Sequence, residues 1–190
     1  KLFANNPLVT DFSYTFNICN KLTGSIPEKL FANNPSVTTF YATFGQCSNL
    51  TGGIPEKLFW NNPLVTTFCF IFGSTSSYGN MKLSGIIPEK LFWNNPLVID
   101  FESAFQLCTN LTGSIPEKLF ANNPLVTDFK YIFNKCSGLT GSIPEKLFAN
   151  NPLVTDFRYT FYQCSNLTGR GWKDIITNAE QNAIDGGFTL

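Results

Sequence analysis

Apolar residues return along this chain at a long, fixed interval, and Phe marks the interval most clearly. One Phe column is Phe3, Phe31, Phe59, Phe92, Phe120 and Phe148. A second is Phe12, Phe40, Phe68, Phe101, Phe129 and Phe157, and a third is Phe16, Phe44, Phe72, Phe105, Phe133 and Phe161. The phrase Lys-Leu-Phe centres on Leu2, Leu30, Leu58, Leu91, Leu119 and Leu147, with spacings of 28, 28, 33, 28 and 28. A constant period of this length is the mark of a repeat architecture. Six units fill residues 1–169. The third carries five extra residues within 73–82, where Ser, Gly and Asn dominate and predict a surface loop. Residues 170–190 leave the pattern and read as an irregular repeat or a C-terminal helical segment. The chain opens in mid-repeat at Lys1-Leu2-Phe3, so a fragment of a longer chain is expected.

Spacing within a unit predicts its elements. Val9, Phe12, Phe16 and Cys19 fall at i, i+3, i+7 and i+10, one face of a helix or a 3₁₀-like segment. Pro27–Phe31 reads as a short helical turn with Pro in its first turn. Asn33-Asn34-Pro35 ends that turn, because Asn tolerates the left-handed conformation and the residue before Pro is pushed out of the helical region. Leu22–Ile26 is left as a short strand that would pair in parallel with its copy in the next unit. The expected fold is an α/β repeat solenoid of leucine-rich-repeat type, stacked right-handed. Each unit of about 28 residues would carry one short parallel strand and short helical or 3₁₀ segments. No unit can bury its rings alone, so the Phe columns are expected to stack as ladders and stability to come from neighbours.

Composition narrows the function. Hydrophobic residues make up 43% and charged residues 14%, the reverse of a disordered chain. Lys plus Arg equal Asp plus Glu at 13 each, so no excess positive charge draws nucleic acid or anionic lipid. No run of 18 apolar residues occurs, so direct membrane insertion is not expected. The chain has no His, which removes the usual general base and the commonest metal ligand. No nucleophile–base pair, phosphate loop or metal spacing stands out, so neither an enzyme nor a cofactor is expected.

Five of the six cysteines, Cys19, Cys47, Cys108, Cys136 and Cys164, share a column on the Phe side, while Cys69 falls earlier in its unit. An inward ladder of buried thiols is the first reading. Disulfides between stacked neighbours are the second. Glu28-Lys29 and its copies read as a solvated charged stripe. The sequons at Asn49, Asn110 and Asn166 coincide with the repeat consensus and carry little weight.

The pattern Cys19-x-x-Leu22-Thr23-x-x-Ile26-Pro27, with the preceding Val9-Thr10-x-Phe12-x-x-x-Phe16, resembles the leucine-rich repeats of bacterial surface proteins of the BspA type. The resemblance covers residues 1–169. It departs in a shorter Leu-to-Ile spacing and in Phe where Leu or Met is usual. It implies a cell-surface or secreted location and a role in adhesion or protein binding, with a protein or glycan partner.

Candidate residues come from the slots that vary while the frame does not. Tyr14, Tyr41, Phe70, Glu102, Lys130, Tyr131, Arg158 and Tyr159 follow the second Phe column and change in size and charge from unit to unit. A core slot would not accept Glu, Lys and Arg in turn, so these slots are expected to be exposed. They form either a recognition surface, with Tyr and Arg as anchors, or a freely varying solvent face. A second candidate combines Trp60 and Trp93, which replace Ala on the units flanking the insertion, with Tyr78; alternatively these rings only cover the loop. A structural spacer or self-associating filament subunit is the rival reading. Near-identical units fit recent duplication, and would also suit a designed consensus.

Overall fold

The structure, a computed structural model, describes residues 2–74 and 81–168. Tyr78, most of the insertion and the helical reading of residues 170–190 lie outside the described residues. Each unit forms one coil, and successive coils lie in parallel register. An unbroken column of bridges, Asp11 to Thr39 to Thr67 to Asp100 to Asp128 to Asp156, links all six coils.

The segment with helical spacing is not a helix. The N–H groups of Phe12, Tyr14, Phe16 and Ile18 donate to Thr39, Tyr41, Thr43 and Gly45 of the next coil at 2.8–3.1 Å. The residues between close tight turns instead: Thr15 N–H to Phe12 O, Asn17 N–H to Tyr14 O and Cys19 N–H to Phe16 O. A helix would consume these donors inside the coil. The turn chain and a helix both place every fourth residue on one face, so the spacing alone could not separate them. The Pro27–Phe31 stretch likewise forms i to i−3 turns, and the described residues contain no α- or 3₁₀-helix.

The predicted strand is also shorter than expected. Strand β1 (Gly141–Ser142) pairs in parallel with β2 (Leu167–Thr168), and elsewhere the pairing shrinks to single bridges such as Gly24 to Leu50 and Gly113 to Leu139. Two residues explain the truncation. Gly24 and its copies sit at φ between 74° and 88°, outside strand geometry. Pro27 and its copies have no N–H to continue a ladder.

The Phe columns meet the expectation of an aromatic core. Rings within a column lie nearly parallel at 5.8 Å for Phe12 to Phe40 and 5.3 Å for Phe16 to Phe44. The closer contacts are between columns: Phe31 tilts against Phe12 at 4.9 Å and against Phe40 at 4.6 Å. The first column is thus interleaved with the second in a herringbone, within the separations and tilts that aromatic quadrupoles favour. From Phe31 to Phe129 these rings are fully buried, while Phe3, Phe16 and Phe157 at the two ends are partly open. The insertion begins and ends in this core rather than on the surface. Gly73, Ser74 and Met81 are buried, and Met81 donates its N–H to Leu107 O at 3.1 Å.

Polar groups complete the stack. Asn34, Asn62, Asn95, Asn123 and Asn151 form a buried column. Each Nδ2 donates to two carbonyls of the preceding coil; Asn95 reaches Phe59 O at 3.2 Å and Asn62 O at 2.9 Å. Among the described residues eleven non-glycine residues adopt positive φ, including Tyr14, Ile18, Leu107 and Lys135. Such residues cost about 1–2 kcal/mol each, and nine of them, from Tyr14 to Lys135, are held there by a bond from their own N–H to the next coil.

Two stability outcomes follow. Asn95→Ala removes one of the two donors that Phe59 O and Asn62 O each accept, leaving each its backbone N–H, and is expected to cost about 1–2 kcal/mol in guanidinium unfolding; Asn95→Asp, which sets a charge against those carbonyls, should cost more. Lys135→Gly removes left-handed strain at φ 61° and is expected to raise stability by about 0.5–1 kcal/mol after glycine's added chain entropy. A lowered melting temperature would contradict the assignment of strain there.

Candidate functional site

The turn segment between the second and third Phe columns carries the variable slots, and stacking the coils joins them into one ribbon. At one end Tyr14 meets Tyr41 edge-on at 5.1 Å. Burial, the hydrogen bond to Tyr14 and the nearby Cys69 and Glu102 push the Tyr41 phenol up to about 12. Phe70 is half-buried in the middle. Beyond it, Lys130 Nζ lies 3.5 Å from Glu102 Oε1 and 5.2 Å from the centre of the Tyr131 ring. Tyr131 stacks on Tyr159 at 4.8 Å with the planes 1° apart, and Tyr159 meets Tyr162 edge-on at 5.6 Å. Arg158 closes the ribbon by pairing with Asp156, Nε to Oδ2 at 2.9 Å.

The slots are less exposed than their variability suggests. Tyr14, at 56%, and Arg158 are open to solvent. Tyr41, Phe70, Glu102, Lys130, Tyr131 and Tyr159 are half-buried, and their column mates Ala42, Cys69 and Ser103 are buried. Each side chain is shielded by the copies above and below, so only end coils leave a slot open. The charges are tolerated because Glu102 pairs with Lys130 and Arg158 pairs with Asp156.

Spacing did not single out the carboxylates beneath this ribbon. Asp100, Asp128 and Asp156 stack in the bridge column, each accepting the N–H of the residue two ahead at 2.6–2.9 Å. Burial first, then the neighbouring carboxylates, raise the Asp100 and Asp128 carboxyls above the ordinary range. Burial also pushes Asp156 up, but its hydrogen bonds and charge contact with Arg158 outweigh that and lower it. The available signal was the Thr/Asp column directly before the second Phe.

The Trp candidates lie on a different face. Trp60 and Trp93 line an open groove of about 860 Å³ with the prolines of four successive coils, Pro35, Pro63, Pro96 and Pro124. Asn61, Asn94 and Asn122 also line it. Their Nδ2 groups donate to Ala32 O, Trp60 O and Trp93 O at 2.9, 3.2 and 3.2 Å. The exposed Leu64, Leu97 and Leu125 follow the prolines in sequence.

Cys47, Cys108, Cys136 and Cys164 form the inward ladder, with Cys19 open at its end and Cys69 outside the column. All six are free thiols and all but Cys19 are buried. Cys47, Cys136 and Cys164 donate to Phe16 O, Phe105 O and Phe133 O of the preceding coil at 2.8–3.0 Å. Burial pushes Cys47 and Cys164 up to about 12, and Cys69, Cys108 and Cys136 also rise well above the ordinary thiol range. Such thiols are poor nucleophiles. The Glu28-Lys29 columns are exposed, and among the described residues they form no ion pair. The Asn49 and Asn166 amides are tied to Asn20 O and Ser137 O of the coil before. Among the described residues no cluster of His, Cys, Asp and Glu has the geometry of a metal site, and no helix is long and apolar enough to cross a membrane.

No family model matches the sequence, and no curated protein matches it. Solved structures give weak likenesses. The crystal structure of PEPR1–AtPEP1 is 22% identical over 70% of this chain and 22% of that one, with a TM-score of 0.30. The Arabidopsis receptor kinase HAESA, in complex with the peptide hormone IDA and the co-receptor SERK1, is 19% identical over 80% and 30%, with a TM-score of 0.36. The Drosophila Toll–Spatzle complex is 13% identical over 84% and 28%, with a TM-score of 0.28. The chain thus spans less than a third of each of these proteins. The solenoid described above rests on coil geometry and not on these likenesses.

Asp100→Asn keeps the acceptor for the Glu102 N–H and removes a half-buried charge from a row of carboxylates. It is expected to raise the melting temperature at pH 7. A carboxyl whose folded pKa is raised weakens the fold while ionised, and this penalty fades as pH falls through that pKa. The advantage of Asp100→Asn should therefore shrink toward acid pH. An advantage that grows on acidification would contradict the direction of the shift.

Proposed function

We propose that this chain is a binding module of leucine-rich-repeat kind that holds a rigid ribbon of side chains against a protein partner. The observation that carries this reading is the contrast between frame and ribbon. From coil to coil the Phe, Asn and Cys columns hardly change, while the slots joined from Tyr14 to Tyr162 differ in size, charge and hydrogen-bonding capacity. Tyr and Arg, over-represented where partners contribute most binding energy, cluster at the Tyr131–Arg158–Tyr159 end. There the rings are already stacked, so little side-chain freedom is lost on binding. The mechanism is passive: no group in the ribbon is paired as nucleophile and base, and the chain contains no His.

The resemblance of the repeat to BspA-type bacterial surface proteins supports an adhesive role on the cell surface or in a secreted protein. In that setting, recognition of an external protein is the natural use of a surface that lengthens by whole coils.

A panel of purified extracellular proteins probed with the biotinylated chain tests the reading. At least one is expected to be captured, with capture lost in the triple variant Tyr131→Ala, Arg158→Ala, Tyr159→Ala. Stacking of Tyr131 on Tyr159 contributes about 0.5–1.5 kcal/mol, so the variant should also melt a few degrees lower while remaining folded by circular dichroism. Capture that survives the triple substitution would remove the ribbon from the binding site.

A further inference from the structure

We infer that the Trp60–Trp93 groove is a separate binding site for a neutral, linear oligosaccharide. Four observations lead there. First, the groove of about 860 Å³ is lined by Ala, Pro, Trp and Asn alone, with no ionisable side chain. It offers nothing to hold a phosphate, a sulfated sugar or a charged peptide against their loss of hydration. Its volume lies in the range that takes small and medium ligands.

Second, the two Trp rings present apolar area on neighbouring coils, with Trp60 37% exposed and Trp93 half-buried. The face of an indole carries negative charge density. It accepts the weakly positive C–H groups that line one face of a pyranose ring. Two such platforms on successive coils suit a ligand made of successive rings.

Third, the Asn amides supply hydroxyl chemistry at the coil repeat. Asn61, Asn94 and Asn122 each use one Nδ2 hydrogen on the carbonyl of the preceding coil. That bond fixes the amide plane and, among the described residues, leaves one N–H and the Oδ1 acceptor of each unused. An unpaired donor beside an unpaired acceptor is the complement of a sugar hydroxyl, which both gives and takes a hydrogen bond.

Fourth, the same bonds disfavour an extended peptide. Adding a strand needs a row of free backbone groups. The carbonyls of Ala32, Trp60 and Trp93 each already accept one of those Asn amides, and Pro35, Pro63, Pro96 and Pro124 carry no N–H.

The repeat itself supplies the test variant. Ala4, Ala32, Ala121 and Ala149 occupy the Trp column in the other four coils. Trp60→Ala with Trp93→Ala therefore installs the residue this fold already accepts there. Titration calorimetry of the chain would use neutral hexasaccharides of glucose, N-acetylglucosamine, xylose and mannose at up to about 1 mM, where weak binding still registers. A proline-rich decapeptide and heparin would be run beside them. At least one neutral hexasaccharide should bind, and the double Trp variant should lose at least about tenfold in affinity with an unchanged circular dichroism spectrum. The triple variant at Tyr131, Arg158 and Tyr159 should bind the sugar as the parent does, which separates this site from the protein-binding ribbon. Silence across the four sugars, sugar binding that survives loss of both Trp rings, or binding of the peptide or heparin in their place would each overturn the inference.

Discussion

Everything in this molecule depends on one packing constraint: the rings of each coil must be covered by the rings of the next. Phe31 makes its closest contacts not with its own column but with Phe12 behind it and Phe40 ahead. A ring column interleaved in this way cannot shift without disturbing both neighbours. Coil conformation is therefore copied, residue for residue, along the stack. The order of magnitude is large, since burying one Phe contributes about 1.5–3 kcal/mol, and among the described residues eleven Phe rings are completely enclosed.

That gain sustains two unfavourable features. One is the set of left-handed residues, including the bulky Tyr14, Ile18 and Tyr131. They turn the chain tightly enough for alternate N–H groups to reach the next coil. The other is the buried Asn column, whose Oδ1 atoms find no partner in Asn34, Asn62, Asn95, Asn123 and Asn151. Each Asn donates to two carbonyls of the coil before, and this offsets the cost of its own unpaired acceptor. The Cys column works in the same direction with a weaker donor.

Because the Phe, Asn and Cys columns are copied, most variation falls outside them, and the outside separates into faces. One carries Tyr and paired charges over a row of carboxylates. Another carries Trp, Pro and Asn with no charge at all. The two faces differ in chemistry so completely that a single ligand class would not suit both. A solenoid permits this because its faces are set by position within the coil, independently of one another.

The sequence by itself determined the period, the number of units, the columns that form the core and the inward set of the cysteines, since each follows from an apolar residue recurring at one position. It also located both candidate faces, through slots that vary at Tyr131 and Arg158 and through Trp standing where Ala is the rule. Only the tertiary structure decided the conformation of the coil. Phe12 and Phe16 lie four apart in a helix and in a chain of turns alike, and what selects the turns is the neighbouring coil's carbonyls accepting the donors a helix would have kept. The same neighbours half-bury Glu102, Lys130 and Tyr159, a shielding invisible in one unit because it is made by the units on either side.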